Sequence, residues 1–227
     1  MMKTTNPIAV AIDGPSGAGK STIARILAKE MQFIYVDTGA LYRAVGYTAL
    51  KTGVSIYDSA AVEAMLPSLS VSLRYENGEQ CVYVNEVDVT PFIRTPEVSE
   101  AASAVSAVPT VRQFLFDLQQ NMAKTTSVIM DGRDIGTVVL PDAQVKIFLT
   151  ASAEDRARRR YEELIDKGMD VSYEDVLRDM ILRDKRDSER AAAPLKPAPD
   201  AVLVDTSGNT LEQSVAMMRK IVEEKLV

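Results

Sequence analysis

The 227-residue sequence has no histidine, no tryptophan and a single cysteine, Cys81. Without histidine there is no Ser–His or Cys–His nucleophile pair and no imidazole ligand for a metal. One cysteine excludes an intramolecular disulfide framework and fits a reducing compartment, so a cytoplasmic location is expected. Cys81 itself reads as a small packed residue, not as a nucleophile. Positive charge is also short: 26 Lys and Arg face 32 Asp and Glu, for a net charge of −6. That balance argues against broad nucleic-acid binding while leaving room for a local basic groove; no stable nucleic-acid partner is expected. No apolar run reaches the roughly 20 residues that a membrane-spanning helix needs. Met1 to Asn6 is polar and lacks the apolar stretch of a secretory leader, so no membrane association is expected. There is no internal repeat and no low-complexity tract. Hydrophobic residues make up 46% of the chain, enough for a sizeable core. The length suits one domain with an insertion, or one and a half.

The most informative stretch is Gly14-Pro15-Ser16-Gly17-Ala18-Gly19-Lys20-Ser21, which fits G-x-x-x-x-G-K-[ST], the phosphate-binding loop pattern. Glycines let the backbone approach a ligand closely, and successive N–H groups then form an anion nest. A helix starting near Lys20 adds the positive end of its dipole. Lys20 supplies a mobile cation for β- and γ-phosphates, and Ser21 a hydroxyl for Mg²⁺. The flanks agree with the pattern. Ile8 to Ile12 is an apolar run of buried-strand type, and Ile23, Ile26 and Leu27 recur at helical spacing. A glycine-rich turn matching by chance would leave both flanks unexplained.

Further along, Phe33 to Val36 reads as a second buried strand ending at Asp37-Thr38-Gly39, where ligands gather in α/β sheets. A helix follows over Leu41 to Leu50, with Tyr42 and Arg43 in its first turn. Arg43 is either a solvated helix residue or a phosphate ligand. A short helix over Asp58 to Leu66 stops at Pro67. The period then changes to two over Ser70 to Tyr75. Asn77-Gly78 is a hairpin turn signal, Cys81 to Val84 returns antiparallel, and Val87 to Val89 adds a short third strand. An antiparallel hairpin inside an α/β chain reads as an inserted lobe over about residues 65–94. A helix begins at Thr95-Pro96-Glu97 with proline in its first position, and its Ala/Ser-rich body suits close packing. Pro109 opens another helix. Ser127 to Met130 is a third buried strand, ending in Asp131-Gly132-Arg133-Asp134 and resembling a Walker B element. Strands over Val145 to Leu149 and Ala201 to Asp205, and a closing helix over Thr210 to Leu226, complete an α/β chain with a parallel sheet.

Between the last two strands lies a charged helical pair. The first helix carries Arg156, Arg158, Arg159 and Arg160. In the second, Arg183, Asp187 and Arg190 share one face. Residues 154–190 hold 12 acids and 10 bases, so the pair is not a polyelectrolyte site. Two readings stand: solvated helices laced with ion pairs, or a few arginines converging on a compact phosphate cluster.

Taken together, these residues resemble the nucleoside monophosphate kinases, and within them the bacterial cytidylate kinases, over nearly the whole chain. The residues that carry the resemblance are the Ile12 to Ser21 loop, Asp37-Thr38-Gly39-Ala40-Leu41-Tyr42-Arg43, Asp131-Gly132-Arg133-Asp134-Ile135-Gly136-Thr137, and Arg183-Asp184-Lys185-Arg186-Asp187 with Arg190. Thr38 stands where the family often has serine, and Ser21 where some members have glycine or threonine; both keep or add a hydroxyl. The resemblance implies a P-loop NTPase three-layer fold with a five-stranded parallel sheet, a small antiparallel β insertion on the NMP-binding side and a helical LID. Its implied parts are a CORE (1–40, 127–153 and 193–227), an NMP-binding part (41–126) and a LID (154–192). The implied reaction is transfer of the γ-phosphoryl group of MgATP to CMP or dCMP by a monomer. ATP would be held by Gly14, Pro15, Ser16, Gly17, Ala18, Gly19, Lys20, Ser21 and Thr22, and the metal by Ser21 and Asp37. Lys20, Arg133, Arg183 and Arg159 would act in catalysis. Thr38, Tyr42, Arg43, Ser103, Arg112, Arg133, Asp134, Arg183, Asp187 and Arg190 would bind the acceptor. Of these, Ser103, Arg112, Asp134 and Arg190 are implied at the base, and Asp187 with Arg183 at the pentose. Three rivals stay open. A regulatory GTPase would lack its N-K-x-D guanine motif here. The others are a catalytically silent nucleotide-binding module and a kinase of another small metabolite.

Overall fold

The computed structural model describes residues 6–76 and 78–226. Its central sheet has five parallel strands in the order β2-β6-β1-β7-β8. They are β1 (Ala9–Asp13), β2 (Ile34–Asp37), β6 (Val128–Gly132), β7 (Val145–Thr150) and β8 (Val202–Asp205). β1 runs at the centre, with Ile12 opposite Asp131 on one side and Ile147 on the other. All five residues of β1 and of β6 are buried, as expected of parallel strands covered on both faces.

By contact the chain divides into two units, residues 1–35 with 126–227, and residues 36–125. In the first, α1 (Lys20–Met31) and α8 (Leu211–Leu226) cover the sheet. Ile23 and Leu27 of α1 and Val215, Met218 and Val222 of α8 join Val10, Ile12, Ile129 and Ile147 in one core. Each fully buried aliphatic side chain there contributes about 1.5–3 kcal/mol. The charged pair is α6 (Ala153–Asp166) and α7 (Tyr173–Glu189), each N-capped by a serine, Ser152 or Ser172. Despite their charge the two helices share a small apolar core of Ala157, Leu164, Val176 and Met180. A feature without a sequence signal is the single π-helical turn Ile135–Val139 directly after Asp134; such turns recur at functional sites.

In the second unit, α2 (Thr38–Thr52) packs on α4 (Pro96–Val105). The approach is close: a Cβ on Gly46 would lie 2.9 Å from Ala101. The Ala/Ser-rich stretch therefore serves close packing, as its composition suggests. α3 (Ser59–Met65) and α5 (Pro109–Thr125) complete the helices of this unit. The inserted lobe is a three-stranded antiparallel sheet of β3 (Val71–Glu76), β4 (Glu79–Val84) and β5 (Val87–Asp88), with β4 in the middle. Pairing runs from Val71↔Val84 to Glu76↔Glu79. Gly78 takes φ of +82° at the expected turn; Asn77 lies outside the described residues. Cys81 is half-buried opposite Arg74 and forms no disulfide.

Candidate active site

The phosphate loop leaves β1 and enters α1 as the sequence pattern requires. Gly14 has no room for a side chain: a Cβ there would lie 1.9 Å from the Leu149 carbonyl oxygen. Gly19 is the N-cap of α1 at φ +86°, a left-handed conformation that suits glycine. Lys20 is buried, and its Nζ donates to the Pro15 carbonyl at 2.6 Å. Burial, then the nearby Arg133, lowers its pKa from 10.5 to about 7, against the pull of Asp131 and Asp13. Ser21 Oγ donates to Asp131 Oδ2 at 2.9 Å, and Tyr35 Oη donates to Asp131 Oδ1 at 2.9 Å. The strand-end carboxylate and the loop hydroxyl thus meet. Pro15 and Ala18 are buried, whereas Thr22 is exposed on the first turn of α1.

The Asp131-Gly132-Arg133-Asp134 turn is tied to the same loop from below. Asp13, the last residue of β1, accepts the Ile135 N–H at 2.8 Å and the Gly136 N–H at 2.7 Å. Burial pushes its carboxyl up to about 6, against those two hydrogen bonds. Arg133 Nε donates to Asp187 Oδ2 at 3.0 Å, and Arg190 donates to Asp134 Oδ1 at 3.4 Å. Burial disfavours the charged form of Asp187. Arg133, Arg183 and Arg190 outweigh it and hold the carboxyl below its usual range. Arg183 also acts on Lys20 through its charge. The face of α7 expected from spacing therefore meets both the turn and the phosphate loop.

The helical arginines divide by role. Arg159 donates to the Thr206 carbonyl at 3.0 Å, and its Nη1 lies 3.9 Å from where a Cβ on Gly19 would stand. Arg160 pairs with Glu163. Arg156 is buried and reaches the Ala151 carbonyl, the Ser16 carbonyl of the phosphate loop and Asp184 of α7. It anchors the helical pair to the loop.

In the second unit, Asp37 caps α2 by accepting the Ala40 N–H at 3.0 Å. Its carboxylate also takes Arg43 at 2.7 Å and Arg94 at 3.1 Å. Burial opposes its charge, but Arg43 and Arg94 hold its pKa below 3.8. Thr38 is buried beside it. The Arg112 guanidinium lies 5.5 Å from the Tyr42 ring centroid and donates to the Ser106 carbonyl. Ser103 is half-buried, and its carbonyl accepts from Ser106.

Among the described residues, no group of three or more His, Cys, Asp or Glu side chains is arranged around a metal position. Ser21 and Asp131 bring hydroxyl and carboxylate oxygens together, a donor set that suits a hard divalent cation. Asp37, the other residue expected at the metal, directs its carboxylate to Ala40, Arg43 and Arg94. Sequence reasoning gave Asp13 no role of its own and did not separate Arg156 from its neighbouring arginines. Asp13 did carry a signal, as the carboxylate ending an apolar strand next to the loop.

A parallel sheet with a phosphate loop after its central strand, and a carboxylate ending the adjacent strand, defines a P-loop nucleotide-binding protein. The sequence profile described as Cytidylate kinase matches residues 10–224. A cytidylate kinase of Carboxydothermus hydrogenoformans is 50% identical over 216 residues, 95% of this chain and 97% of the relative. One from Streptococcus pneumoniae is 46% identical over 226 residues, 99% of this chain and all of the relative. The chain belongs to the cytidylate kinase family. The solved structure of an uncharacterized protein from Eubacterium ventriosum shares the fold at a TM-score of 0.51 and 13% identity, covering 96% of this chain and 98% of that one. No helix among the described residues is long and apolar enough to cross a membrane.

Proposed function

We propose that this chain transfers the γ-phosphoryl group of ATP to CMP or dCMP, giving ADP and CDP or dCDP. Family membership supports the reaction. The observation that carries it at the site is the joining, within one unit, of the phosphate loop to a network in which the half-buried Arg133, Arg183 and Arg190 surround the buried Asp134 and Asp187. A bare nucleotide-binding module needs the loop but not the second set.

The chemistry is positioning and charge neutralisation, without a covalent intermediate. The loop amides and Lys20 hold the β- and γ-phosphates of ATP. The acceptor is already a phosphate anion, so no strong base is needed. Arg133 and Arg183 neutralise charge on the acceptor phosphate and the transferring group, and Arg43 of the second unit holds the acceptor phosphate. Thr38, Tyr42, Ser103 and Arg112 are that unit's further acceptor ligands. Asp134 and Arg190 serve the base, and Asp187 with Arg183 the pentose. Ser21 and Asp131 would hold Mg²⁺, and the ion would supply further neutralisation of the phosphates when bound. Residues 154–192 act as a LID, with Arg159 as the arginine that meets the transferring group. Closure excludes water and so suppresses ATP hydrolysis. The protein is read as a cytoplasmic monomer.

A coupled assay of ADP release over a panel of nucleoside monophosphates tests this reading. CMP and dCMP should give the highest kcat/KM, and ADP release without acceptor should be slow. Turnover that ignores the acceptor, or that requires a non-nucleotide acceptor, would sink it.

A further inference from the structure

The hairpin lobe is unexplained by the reaction itself, yet it meets the rest of its own unit at one informative point. Gln80 lies on β4, the middle strand of the lobe. Its side-chain Oε1 accepts the Asp37 N–H at 2.9 Å, and its Nε2 donates to the Asp37 carbonyl at 3.3 Å. One carboxamide thus satisfies both main-chain groups of a residue that is only 3% exposed. A carboxamide presents a donor and an acceptor side by side, as a peptide group does, so Gln80 stands in for a neighbouring strand. The Asp37 carboxylate then gathers the α2 N-terminus, Arg43 and Arg94. Arg94 lies beyond the last strand of the lobe, at its exit, so the insertion meets this one residue at Gln80 and again at Arg94. Arg43 Nε is buried and has no hydrogen-bond partner among the described residues. A buried donor left open beside an ordered carboxylate suits a group kept for an incoming anion.

We propose that Gln80 is a positioning residue for the acceptor phosphate: its carboxamide fixes Asp37, and Asp37 fixes the guanidiniums of Arg43 and Arg94. The proposal rests on the reading above, in which Arg43 serves the acceptor. It gives the inserted lobe a task within the reaction, that of setting the aim of Arg43. Gln80 need not touch the substrate.

The test compares Gln80→Met, which keeps the side-chain length without either hydrogen bond, with Gln80→Glu, which keeps only the acceptor. In Gln80→Met the KM for CMP should rise on the order of tenfold, the scale expected when buried main-chain groups lose their partners. The KM for ATP should stay within about twofold, because the phosphate loop makes no use of Gln80. Gln80→Glu should raise the KM for CMP at least as much, because its second carboxylate oxygen opposes the Asp37 carbonyl. If Gln80→Met fails to fold, Gln80→Glu carries the same comparison, with a raised KM for CMP alone. An unchanged KM for CMP in a folded variant, or equal rises for both substrates, would overturn the proposal. Failure of the functional reading looks different: the wild-type chain would not turn over CMP at all. In that case the Arg43 Nε–H resonance, assigned by its loss in Arg43→Lys, decides the matter without any substrate. It should shift or broaden in the Gln80 variants, and an unmoved resonance would overturn the proposal.

Discussion

ATP binding should load a proton onto Lys20. The side chain is buried against the loop it belongs to, with Nζ on the Pro15 carbonyl. Burial, helped by the charges of Arg133 and Arg183, brings its pKa down to about 7, although Asp131 and Asp13 pull the other way. At that value the free protein carries about half a proton on Lys20 at pH 7 and about a tenth at pH 8. Nucleotide phosphates placed next to the amine favour its charged form and move the pKa back up. Binding should therefore take up about 0.9 proton at pH 8, about 0.5 at pH 7 and about 0.1 at pH 6. The sign follows directly: affinity for ATP weakens as pH rises above 7, by up to about tenfold per unit until the bound-state pKa is reached. Titration calorimetry in two buffers of different ionisation enthalpy reads the proton count as a slope. Asp13, with its carboxyl near 6, complicates readings at pH 6 but is ionised in the free protein at pH 8, which makes pH 8 the informative condition. Lys20→Arg is the control, since a guanidinium stays charged throughout; its uptake at pH 8 should vanish. A wild-type slope near zero at pH 8, with ATP still bound, would refute the argument that Lys20 is held neutral on its own loop.

Three more predictions follow from single contacts. Gly14→Ala drives a methyl into the Leu149 carbonyl and should cost about 1–3 kcal/mol; thermal melting should show a fall of several degrees, and a wild-type Tm would contradict the loop geometry. Asp134→Asn should lower the CMP-over-UMP ratio in kcat/KM by roughly ten- to a hundredfold, because a carboxylate accepts from the cytosine amino group and leaves the uracil 4-oxygen unpaired; equal losses with both nucleotides would reassign Asp134 to orienting Arg190. Asp37 and Asp187 have folded pKa values below 3.8, so their stabilisation is present above 3.8 and lost as pH falls through the lower folded values. Urea melts of Asp187→Asn should accordingly lose less stability between pH 4 and pH 2 than the wild type, and parallel curves would refute the assignment.

Much of this architecture is legible in the chain because local rules dictate it. The run Ile8 to Ile12, three glycines and Lys20 specify strand, turn and helix without help from distant residues. Proline at 96 and the Ala/Ser-rich stretch after it announce a helix built for close packing, and Gly46 against Ala101 is its counterpart. Period-two patterning before Gly78 gives the hairpin. The i, i+4, i+7 spacing of Arg183, Asp187 and Arg190 predicts one functional face, and the Arg133–Asp187 and Arg190–Asp134 pairs lie along it. The π turn after Asp134 is illegible because it depends on a carboxylate far away in sequence. The four arginines of α6 look alike in sequence. Only tertiary contacts divide buried Arg156, on the loop carbonyl, from Arg159, on Thr206.

The least legible contacts have one form: a side chain that completes the main chain of a distant segment. Asp13 takes the two N–H groups that follow Asp134, and Gln80 takes both main-chain groups of Asp37. Arg156 takes the carbonyl of Ser16. Such contacts leave no periodicity, because the backbone they meet is the same at every residue. They nevertheless decide where functional side chains sit. A carboxylate in place of Asn at position 13 matters for this reason. Both of its oxygens accept, so two consecutive N–H groups are satisfied at once, whereas an amide would turn a donor toward one of them. Burial raises the Asp13 carboxyl to about 6, which still leaves it ionised at neutral pH. Below that value protonation converts one acceptor into a donor and opposes the Ile135 or Gly136 N–H. The turn carrying Arg133 and Asp134 is thus held by the same residue that launches the phosphate loop. A shift at the end of β1 is transmitted to both through a single carboxylate.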